Sequence, residues 1–342
     1  MGLPGTATRA AFPAAFFTPP ERKGLTQVPR FDVTVVGELN LDLILYGLPE
    51  QLEPERELLA NRLALTLGSS SAIFAHNLSV LGSKVGFISR IGDDPLGQIA
   101  LDRLAAGGVD VSRVRKVSGP TTTGLTVILP RKDCRNILTY PGTMDEMCFE
   151  DLDLDYLSDS KHFHLSSFFL HRSLRSRIPG LFAKMKQKGL TTSLDTNDDP
   201  ADRWGDDLFE VLKHVDVFFA NEREAQKIAH ADSLEAAIAA LAPRVPILVV
   251  KLGGEGALAC GPSGKVRCSA LDVEVVDPVG AGDSFDAGFI HQYVRGAALP
   301  DCVAYGNAAG AFSTTRPGGT EAFRDRERCE DFFRGAGASG TC

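Results

Sequence analysis

The chain has 342 residues, a net charge of −8 at pH 7 and an apolar fraction of 44%, which is enough to bury one large core. Its acidic balance, without a cluster of lysine and arginine, argues against a nucleic-acid surface, because contacts to a phosphate backbone need concentrated positive charge. No apolar run reaches the roughly 20 residues needed to cross a bilayer, and the seven cysteines include no C-x-x-C pair. We therefore expect a cytoplasmic protein with no nucleic-acid or membrane partner.

Residues 1–30 are predicted to form a flexible N-terminal extension. Prolines at positions 4, 13, 19 and 20, together with Glu21, would interrupt an amphipathic targeting helix. We expect a single domain over residues 31–330, followed by a C-terminal tail over residues 331–342.

Within this domain, short β-branched runs such as 33–36 and 85–88 alternate with helical stretches such as 72–81 and 96–106. This alternation is typical of βαβ units and predicts a parallel sheet covered by helices on both faces. Segments near 43–66 and 118–142 alternate polar and apolar residues instead, which is typical of half-exposed strands.

Polar residues follow the first predicted strand. Asn40 and Asp42 have i, i+2 spacing, so they share one face of an extended segment and offer donors and acceptors for hydroxyl groups. The same pair could simply end the strand in a turn. Gly68, further on, would let a ligand approach the backbone closely, or it is a plain turn glycine.

Two further polar pairs occur at predicted strand positions. His162 and His164 share one strand face, and we expect a structural role because no second His or Cys pair has zinc spacing nearby. Asn221 and Glu224 follow the apolar run 215–220, and their spacing is that of a helix capping box.

The most informative stretch, residues 277–285, reads DPVGAGDSF. Alternating apolar residues at 271–276 predict a strand before it, and Phe285, Phe289 and Tyr293 recur at helical spacing after it. The small residues 280–282 would therefore lie where a helix begins, and there unpaired N–H groups attract anions.

Asp283 is either a helix N-cap or a general base that accepts a proton from an attacking hydroxyl. The chain has no Walker phosphate loop, and residues 280–285 do not fit the dinucleotide fingerprint.

Residues 277–288 resemble the C-terminal signature of the ribokinase-like (PfkB) carbohydrate kinase family. Similar segments follow in the family's order at 37–42, 67–82, 92–97, 108–111, 123–124, 135–138, 221–224, 250–257, 307–311 and 316–319. The similarity spans about residues 31–325, and an ordered series is more specific than any single motif.

This resemblance implies an α/β fold, a three-layer α/β/α sandwich with a mostly parallel central sheet and a small β-sheet lid formed by the two half-exposed segments. It also implies ATP-dependent phosphorylation of a hydroxyl, most often a hydroxymethyl group, on a small sugar or sugar-like substrate. Asp283 would be the general base, and Gly280, Ala281 and Gly282 would form the anion hole.

On the substrate side, the resemblance implies contacts from Asn40, Asp42, Gly68 and Ser69. Ser69 stands where the family has a second glycine, and Ile73 aligns with the family's sugar-contacting asparagine. Asn77, one helical turn beyond Ile73, could partly replace that asparagine. We expect an atypical acceptor pocket.

On the nucleotide side, the resemblance implies that ATP binds near Asn221, Glu224, Lys251, Gly253, Gly256 and Asn307. Asn221 and Glu224 would help to hold Mg²⁺ through water, because Mg²⁺ keeps most of its hydration shell. Backbone carbonyls around Asp277, Val279, Ser313 and Gly318 would bind a monovalent cation such as K⁺. Lys251 could also belong to an ordinary turn, and Asn307 could be a buried polar residue of a helix.

Two alternatives remain open. One is a nucleoside kinase of the same family, with Phe168, Phe169 and Tyr140 stacking on the base. The other is a catalytically silent sugar-sensing protein that retains the fold. A homodimer is also expected, since unpaired edge strands of a lid pair readily with a second copy.

Overall fold

The computed structural model describes residues 28–131 and 135–336. The strands are β1 (Phe31–Val36), β2 (Leu41–Tyr46), β3 (Arg62–Leu67), β4 (Val85–Gly92), β5 (Asp110–Val117), β6 (Leu125–Pro130), β7 (Arg135–Tyr140), β8 (Ser160–Leu165), β9 (Thr191–Asp195), β10 (Val217–Asn221), β11 (Ile247–Lys251), β12 (Ala257–Gly261) and β13 (Gly264–Cys268). The helices are α1 (Ser70–Val80), α2 (Pro95–Ala106), α3 (Leu154–Ser158), α4 (Ile178–Gln187), α5 (Asp207–Leu212), α6 (Glu222–Ala229), α7 (Leu234–Leu241), α8 (Ala281–Tyr293), α9 (Leu299–Ser313) and α10 (Arg326–Ala336).

The central sheet has nine strands in the order β13-β12-β11-β10-β9-β8-β1-β4-β5. Pairing is parallel from β11 to β5, and β12 and β13 add an antiparallel edge. The prediction of a mostly parallel sheet is confirmed. Strand β1 pairs with β4 on one side and β8 on the other, so the chain reverses its direction of travel across the sheet there. Open α/β sheets bind ligands at such a reversal, beyond the carboxyl ends of the strands.

Helices cover both faces of this sheet. In β10, Phe218 packs into the apolar cluster formed with α4 to α7, whereas the next residue, Phe219, packs against Phe285 and Phe289 of α8 on the opposite face. Because successive strand residues point to opposite faces, one strand contributes to both clusters. The predicted three-layer sandwich is confirmed, as is the apolar face of α8.

A second, four-stranded sheet has the order β3-β2-β6-β7. Its strands come from the two segments that the sequence marked as half-exposed. Strand β7 forms one edge, and all six of its residues are exposed. Ile137, Leu138 and Tyr140 each expose about half of their surface, at 54%, 57% and 51%.

The structure departs from the prediction in two segments. Residues 271–276 form no strand, because the N–H groups of Val276 and Asp277 both donate to the Thr314 carbonyl instead of to a neighbouring strand. Helix α10 continues to Ala336, beyond the domain end expected at residue 330. Most of the predicted extension, residues 1–27, lies outside the described residues, as do residues 337–342 of the predicted tail. In the described ranges, no helix has both the length and the apolar character to span a membrane.

His162 and His164 belong to a buried hydrogen-bonded ladder within the sheet. The Ser193 hydroxyl lies 2.7 Å from a ring nitrogen of each, and Thr191 and Ser166 contact the remaining ring nitrogens. Burial lowers the pKa of both rings, that of His164 to about 3. Both histidines are therefore neutral structural groups in the folded protein.

Replacing His164 with glutamine is expected to weaken the acid sensitivity of the fold. The pKa of His164 is about 3 in the folded chain and about 6.5 in an unfolded one. Unfolding therefore takes up a proton as the pH falls below about 6.5, and stability is progressively lost. Urea unfolding midpoints at pH 7 and pH 5 should differ less in His164→Gln than in the wild type. His214→Gln, at a half-exposed site, is the control, and an equal difference in all three proteins would contradict the prediction.

Candidate active site

The predicted site residues gather at the carboxyl edge of the central sheet. Asn40 follows β1, Asn221 ends β10 and Lys251 ends β11; Asp195, which was not among the predicted residues, ends the neighbouring strand β9. The N-terminus of α8 reaches the same edge, because Lys251 lies beside Gly282, about 3.3 Å from where a Cβ atom would stand. Residues that are distant in sequence thus share one cleft at the reversal point of the sheet.

The turn before α8 has the geometry of an anion hole. Gly280 is the N-cap residue with φ 75°, and a Cβ atom there would lie 2.4 Å from the Gly319 Cα atom, so only glycine fits. Within residues 28–131 and 135–336, the backbone N–H groups of Gly282 and Asp283 have no hydrogen-bond acceptor. Two free donors at the positive end of a helix can bind an anion.

Asp283 lies in the first turn of α8, three residues after the N-cap. The N-cap reading of Asp283 is therefore wrong, because the cap position needs the left-handed backbone that Gly280 supplies. Burial and the negative charge of Asp195 raise the pKa of Asp283 to about 6, against the opposing effects of Lys251 and the Ser70 hydroxyl. A carboxylate with a pKa near neutrality suits a general base.

On the acceptor side, the structure brings Asn40, Asp42, Gly68 and Ser69 together. The Ser69 hydroxyl donates to Asn40 Oδ1 at 2.6 Å, and the Gly68 N–H donates to the Asn40 carbonyl at 3.0 Å. Burial and the charges of Asp283 and Asp277 raise the pKa of Asp42 to about 7. Asp42 is therefore close enough to Asp283 for the charge of one carboxylate to act on the other.

Asn77 is placed differently from the prediction. It is fully buried, and its amide donates to Ser284 Oγ and to the Gly319 carbonyl, both at 2.9 Å. One donor holds α1 against α8 and the other holds α1 against the loop after α9, so this amide does not replace the family's asparagine in the pocket. Ile73 packs beneath the turn at Gly280.

Lys251 forms the charged centre of the cleft. Its Nζ atom lies 2.8 Å from Asp195 Oδ2 and 3.0 Å from Asp286 Oδ2. Burial alone would lower the pKa of Lys251, but the two carboxylates outweigh burial and raise it. No role is predicted for Asp286 from the sequence, although its position three residues after Asp283 places both on neighbouring turns of one helix face.

Asn221 and Glu224 form the predicted capping box. Asn221 Oδ1 accepts from the Glu224 N–H at 2.9 Å, and the Glu224 carboxylate accepts from the Asn221 backbone and side-chain N–H groups at 2.8 and 2.6 Å. Burial and the charge of Asp195 raise the pKa of Glu224 to about 7. Among the described residues, no group of three or more His, Cys, Asp or Glu could hold a metal ion. One amide and one carboxylate are nevertheless compatible with Mg²⁺ held largely by water.

The remaining nucleotide-side predictions have distinct outcomes. Gly253 and Gly256 both have positive φ, 59° and 91°, in the turn that follows β11. Asn307 is buried, and its amide donates to the carbonyls of Cys268 and Ser269 at 3.0 and 3.1 Å. It therefore anchors the segment after β13 to α9, as the alternative of a buried helix residue predicts.

The four residues named for a monovalent cation lie in two adjoining segments. The Asp277 carboxylate accepts from Tyr46 Oη at 2.6 Å and from the N–H groups of Val279 and Gly318, each at 3.0 Å. In the described part of the chain, the buried Ser313 hydroxyl has no hydrogen-bond partner. An unpaired buried oxygen beside two converging loops is compatible with a cation that binds oxygen ligands.

Glu38, which has no role among the motifs named above, lies with Asn40 in the connection between β1 and β2 and is the centre of a buried polar cluster. Its carboxylate accepts from the Ser71 and Ser167 hydroxyls at 2.8 and 2.7 Å and lies 3.4 Å from His171 Nε2. Burial alone would raise the pKa of Glu38, but these contacts outweigh it and lower the pKa. Asn197 donates to both Ser70 and Ser167 and extends the cluster towards Asp283.

The aromatic residues named for a nucleoside pocket do not line one together. Phe168 and Phe169 are buried and pack edge-to-face on each other, and Phe169 also packs on Trp204. Tyr140 is half-exposed and lines a cavity of about 450 Å³ with residues of β6, β7 and α2. The two phenylalanines cannot stack on a ligand, because their faces are covered by protein.

A family model described as pfkB family carbohydrate kinase matches residues 30–326. The chain belongs to this family. An ATP-dependent ribose-1-phosphate kinase of Halopiger xanaduensis is 31% identical over 75% of the chain and 82% of that protein. A ribokinase of Haemophilus influenzae is 26% identical over 90% of the chain and the whole of that protein.

Solved structures show the same fold. A putative ribokinase II from E. coli in complex with ATP and Mg²⁺ is 26% identical and covers 89% of this chain and 99% of its own, with a TM-score of 0.74. An adenosine kinase from Sinorhizobium meliloti gives a TM-score of 0.77 over 88% of this chain and 99% of its own. Its identity of 23% supports the fold alone. Because the chain belongs to this family, the protein is a sugar kinase of the PfkB type.

Gly68→Ala is expected to reduce sugar phosphorylation. A Cβ atom at position 68 would lie 2.2 Å from Asp42 Oδ1 and 2.7 Å from Asn40 Oδ1, so both acceptor-side groups must move. The kcat/KM for the sugar should fall about tenfold or more, since one lost hydrogen bond to a charged group already has that effect. Gly180→Ala, in α4 with no atom within 4 Å of the added methyl, is the control. Wild-type kinetics for Gly68→Ala would contradict the prediction.

Proposed function

We propose that this chain is an ATP-dependent phosphotransferase acting on a hydroxyl, most simply a hydroxymethyl group, of a small sugar or sugar-like substrate. The supporting observation is the position of Asp283 on the first turn of α8. Among the described residues, its backbone N–H and that of Gly282 have no acceptor, and its charge raises the pKa of Asp42. A base, two free donors and a hydroxyl-binding carboxyl group near one another would suit phosphoryl transfer to an alcohol.

In this proposal, Asp283 removes the proton of the attacking hydroxyl. With a pKa of about 6, its carboxylate is mostly ionised at pH 7, and a positioned base of this kind accelerates a reaction about 10²–10⁴-fold. Asp42 and Asn40 orient the sugar. The N–H groups at 282 and 283 stabilise negative charge on the transferred group. Ala281, between the two glycines, keeps the turn free of bulky side chains.

ATP and Mg²⁺ belong to this proposal because Asn221 and Glu224 offer an amide and a carboxylate compatible with a hydrated Mg²⁺, and because a structural relative was crystallised with both. Asn221 and Glu224 would hold Mg²⁺ through water, and the ion would neutralise phosphate charge when bound. Lys251, Gly253 and Gly256 would line the phosphates, whereas Asn307 supports the nucleotide side from within the fold. Carbonyls around Asp277, Val279, Ser313 and Gly318 would take K⁺.

The identity of the sugar is the finer part of the proposal. Relatives of similar identity carry the names ribose-1-phosphate kinase, 2-dehydro-3-deoxygluconokinase and ribokinase. The sugars in these names therefore form the test panel. Each sugar is assayed by ADP release with and without K⁺. A homodimer through the exposed edge strand β7 stays a prediction.

Asp283→Asn is expected to abolish most turnover while it leaves ATP affinity largely intact. The amide cannot accept the proton, so kcat should fall by about 10²–10⁴. Calorimetric ATP binding should change little, because the backbone donors remain. Asp301, in the first turn of α9, provides a matched control for loss of a helix-terminal charge. If Asp283→Asn turned over at the wild-type rate, Asp283 could not be the base.

The pH profile should report the ionisation of Asp283. Since the base must be deprotonated, kcat/KM is expected to fall about tenfold per unit below pH 6, where the raised pKa lies. After burial, the charge of Asp195 contributes most to that rise. Asp195→Asn should therefore move the acid limb to lower pH, whereas Asp198→Asn, at an exposed neighbouring site, should not. An acid limb that stays in place in Asp195→Asn would count against the assignment.

A further inference from the structure

Ser69, which joins β3 to α1, has a backbone conformation that residues with side chains rarely adopt. Its φ is 66° and its ψ is 128°, in a region that favours glycine. Backbone strain of this kind persists only where surrounding contacts maintain it, and it concentrates at functional sites. The contacts of the Ser69 side chain therefore indicate what the strained residue does.

The Ser69 hydroxyl is directed at Asn40. It donates to Asn40 Oδ1 at 2.6 Å, and among the described residues it makes no capping hydrogen bond to α1. Asn40 is 3% exposed, so its amide has little room to turn. With the oxygen occupied, the Asn40 amide presents its nitrogen. One N–H approaches Thr126 Oγ1 at 3.4 Å, and the other has no acceptor in the part of the chain that the structure describes, so it is left for a ligand.

Asp42 provides the complementary group beside this amide. A Cβ atom at Gly68 would lie within 2.7 Å of both Asn40 Oδ1 and Asp42 Oδ1, so the two side chains flank the same backbone position. Asp42 offers carboxylate oxygens, which accept hydrogen bonds. A donor and an acceptor side by side match two neighbouring hydroxyl groups, one of which accepts a hydrogen bond while the other donates one.

We propose that Ser69 is a positioning residue for the sugar. Its hydroxyl holds the Asn40 amide so that Asn40 donates to one hydroxyl of a vicinal pair and Asp42 accepts from the next. The inference rests on the proposed kinase function, in which Asn40 and Asp42 orient the sugar, and it adds that Ser69 sets the direction of the Asn40 amide. Ser69 itself does not need to touch the sugar.

Two substitutions separate the hydroxyl from the backbone conformation. Ser69→Ala removes the hydroxyl and keeps the side-chain carbon in the strained conformation. Ser69→Gly removes the hydroxyl and relieves the strain. Both are expected to raise the KM for the sugar about three- to tenfold with kcat within about twofold, because one hydrogen bond that organises binding is lost. The melting temperature should rise in Ser69→Gly and not in Ser69→Ala.

The route through Asn40 is tested by a double-mutant cycle. In an Asn40→Ala background, Ser69→Ala should cause no further increase in KM. The probes are the panel sugar that the wild type phosphorylates fastest and its monodeoxy analogues. Wild-type preference for the parent sugar should diminish in both Ser69 variants. An unchanged KM in Ser69→Ala, or equal effects of Ser69→Ala with and without Asn40, would overturn the proposal.

A measurement without substrate keeps the test independent of the kinase assignment. The side-chain NH₂ resonances of Asn40, in protein labelled with ¹⁵N-asparagine, should shift and broaden in Ser69→Ala. If the wild type phosphorylated no sugar, the proposed function would fail, and this resonance would still decide whether Ser69 orients the amide. Asn40 resonances that stay unchanged in Ser69→Ala would refute the positioning role.

Discussion

The buried ammonium group of Lys251 is the interaction on which the arrangement of the cleft depends. It joins Asp195 at the end of β9 to Asp286 within α8, and it is itself the last residue of β11. The Lys251 side chain is 13% exposed, and the two carboxylates are almost fully buried. Removing one member of a buried ion pair typically costs about 3–5 kcal/mol, because the remaining charge is left without a partner. The two ion pairs of Lys251 therefore fix α8 relative to the sheet, and with it the position of Asp283.

The cleft also contains more carboxyl groups than Lys251 neutralises. Asp42, Glu224 and Asp283 all have a raised pKa, for which burial is the first cause and neighbouring carboxylates the next. Groups that titrate close to neutral pH can exchange protons without large energetic cost. Positive charge added near Glu224 would favour its ionised form, whose pKa burial and Asp195 raise to about 7. These raised pKa values are compatible with the proton removal and the metal-assisted phosphoryl transfer that we propose.

Much of this organisation could be predicted from the sequence. The alternation of strand and helix patterns predicted a sheet covered by helices on both faces, because the central strands carry apolar residues on both faces. Prediction failed where the structure of a segment depended on a contact with a residue far away in the sequence. The alternation at 271–276 is strand-like, but the end of this segment donates to the Thr314 carbonyl instead of to a strand. Helical spacing placed Asn77 one turn from Ile73, yet spacing cannot show that Ser284 and Gly319 take its donors.

The same limit applies to charged and aromatic residues. Only the structure shows that Gly280, with its positive φ, occupies the cap position and that Asp283 lies in the first turn of α8. The pairing of Lys251 with Asp286 and the cluster around Glu38 join residues from separate strands and helices, so no local pattern predicts them. Composition likewise could not show that Phe168 and Phe169 are covered by protein.

Tyr46 belongs to the small sheet, whereas its acceptor Asp277 also receives the N–H of Val279, one residue before Gly280. One carboxylate thus ties a strand of the small sheet to the turn before α8. Any displacement of the small sheet away from this turn must break the phenol contact and leave Asp277 with its backbone donors alone. The position of the small sheet and the shape of the turn at Gly280 are therefore mechanically linked through a single acidic side chain.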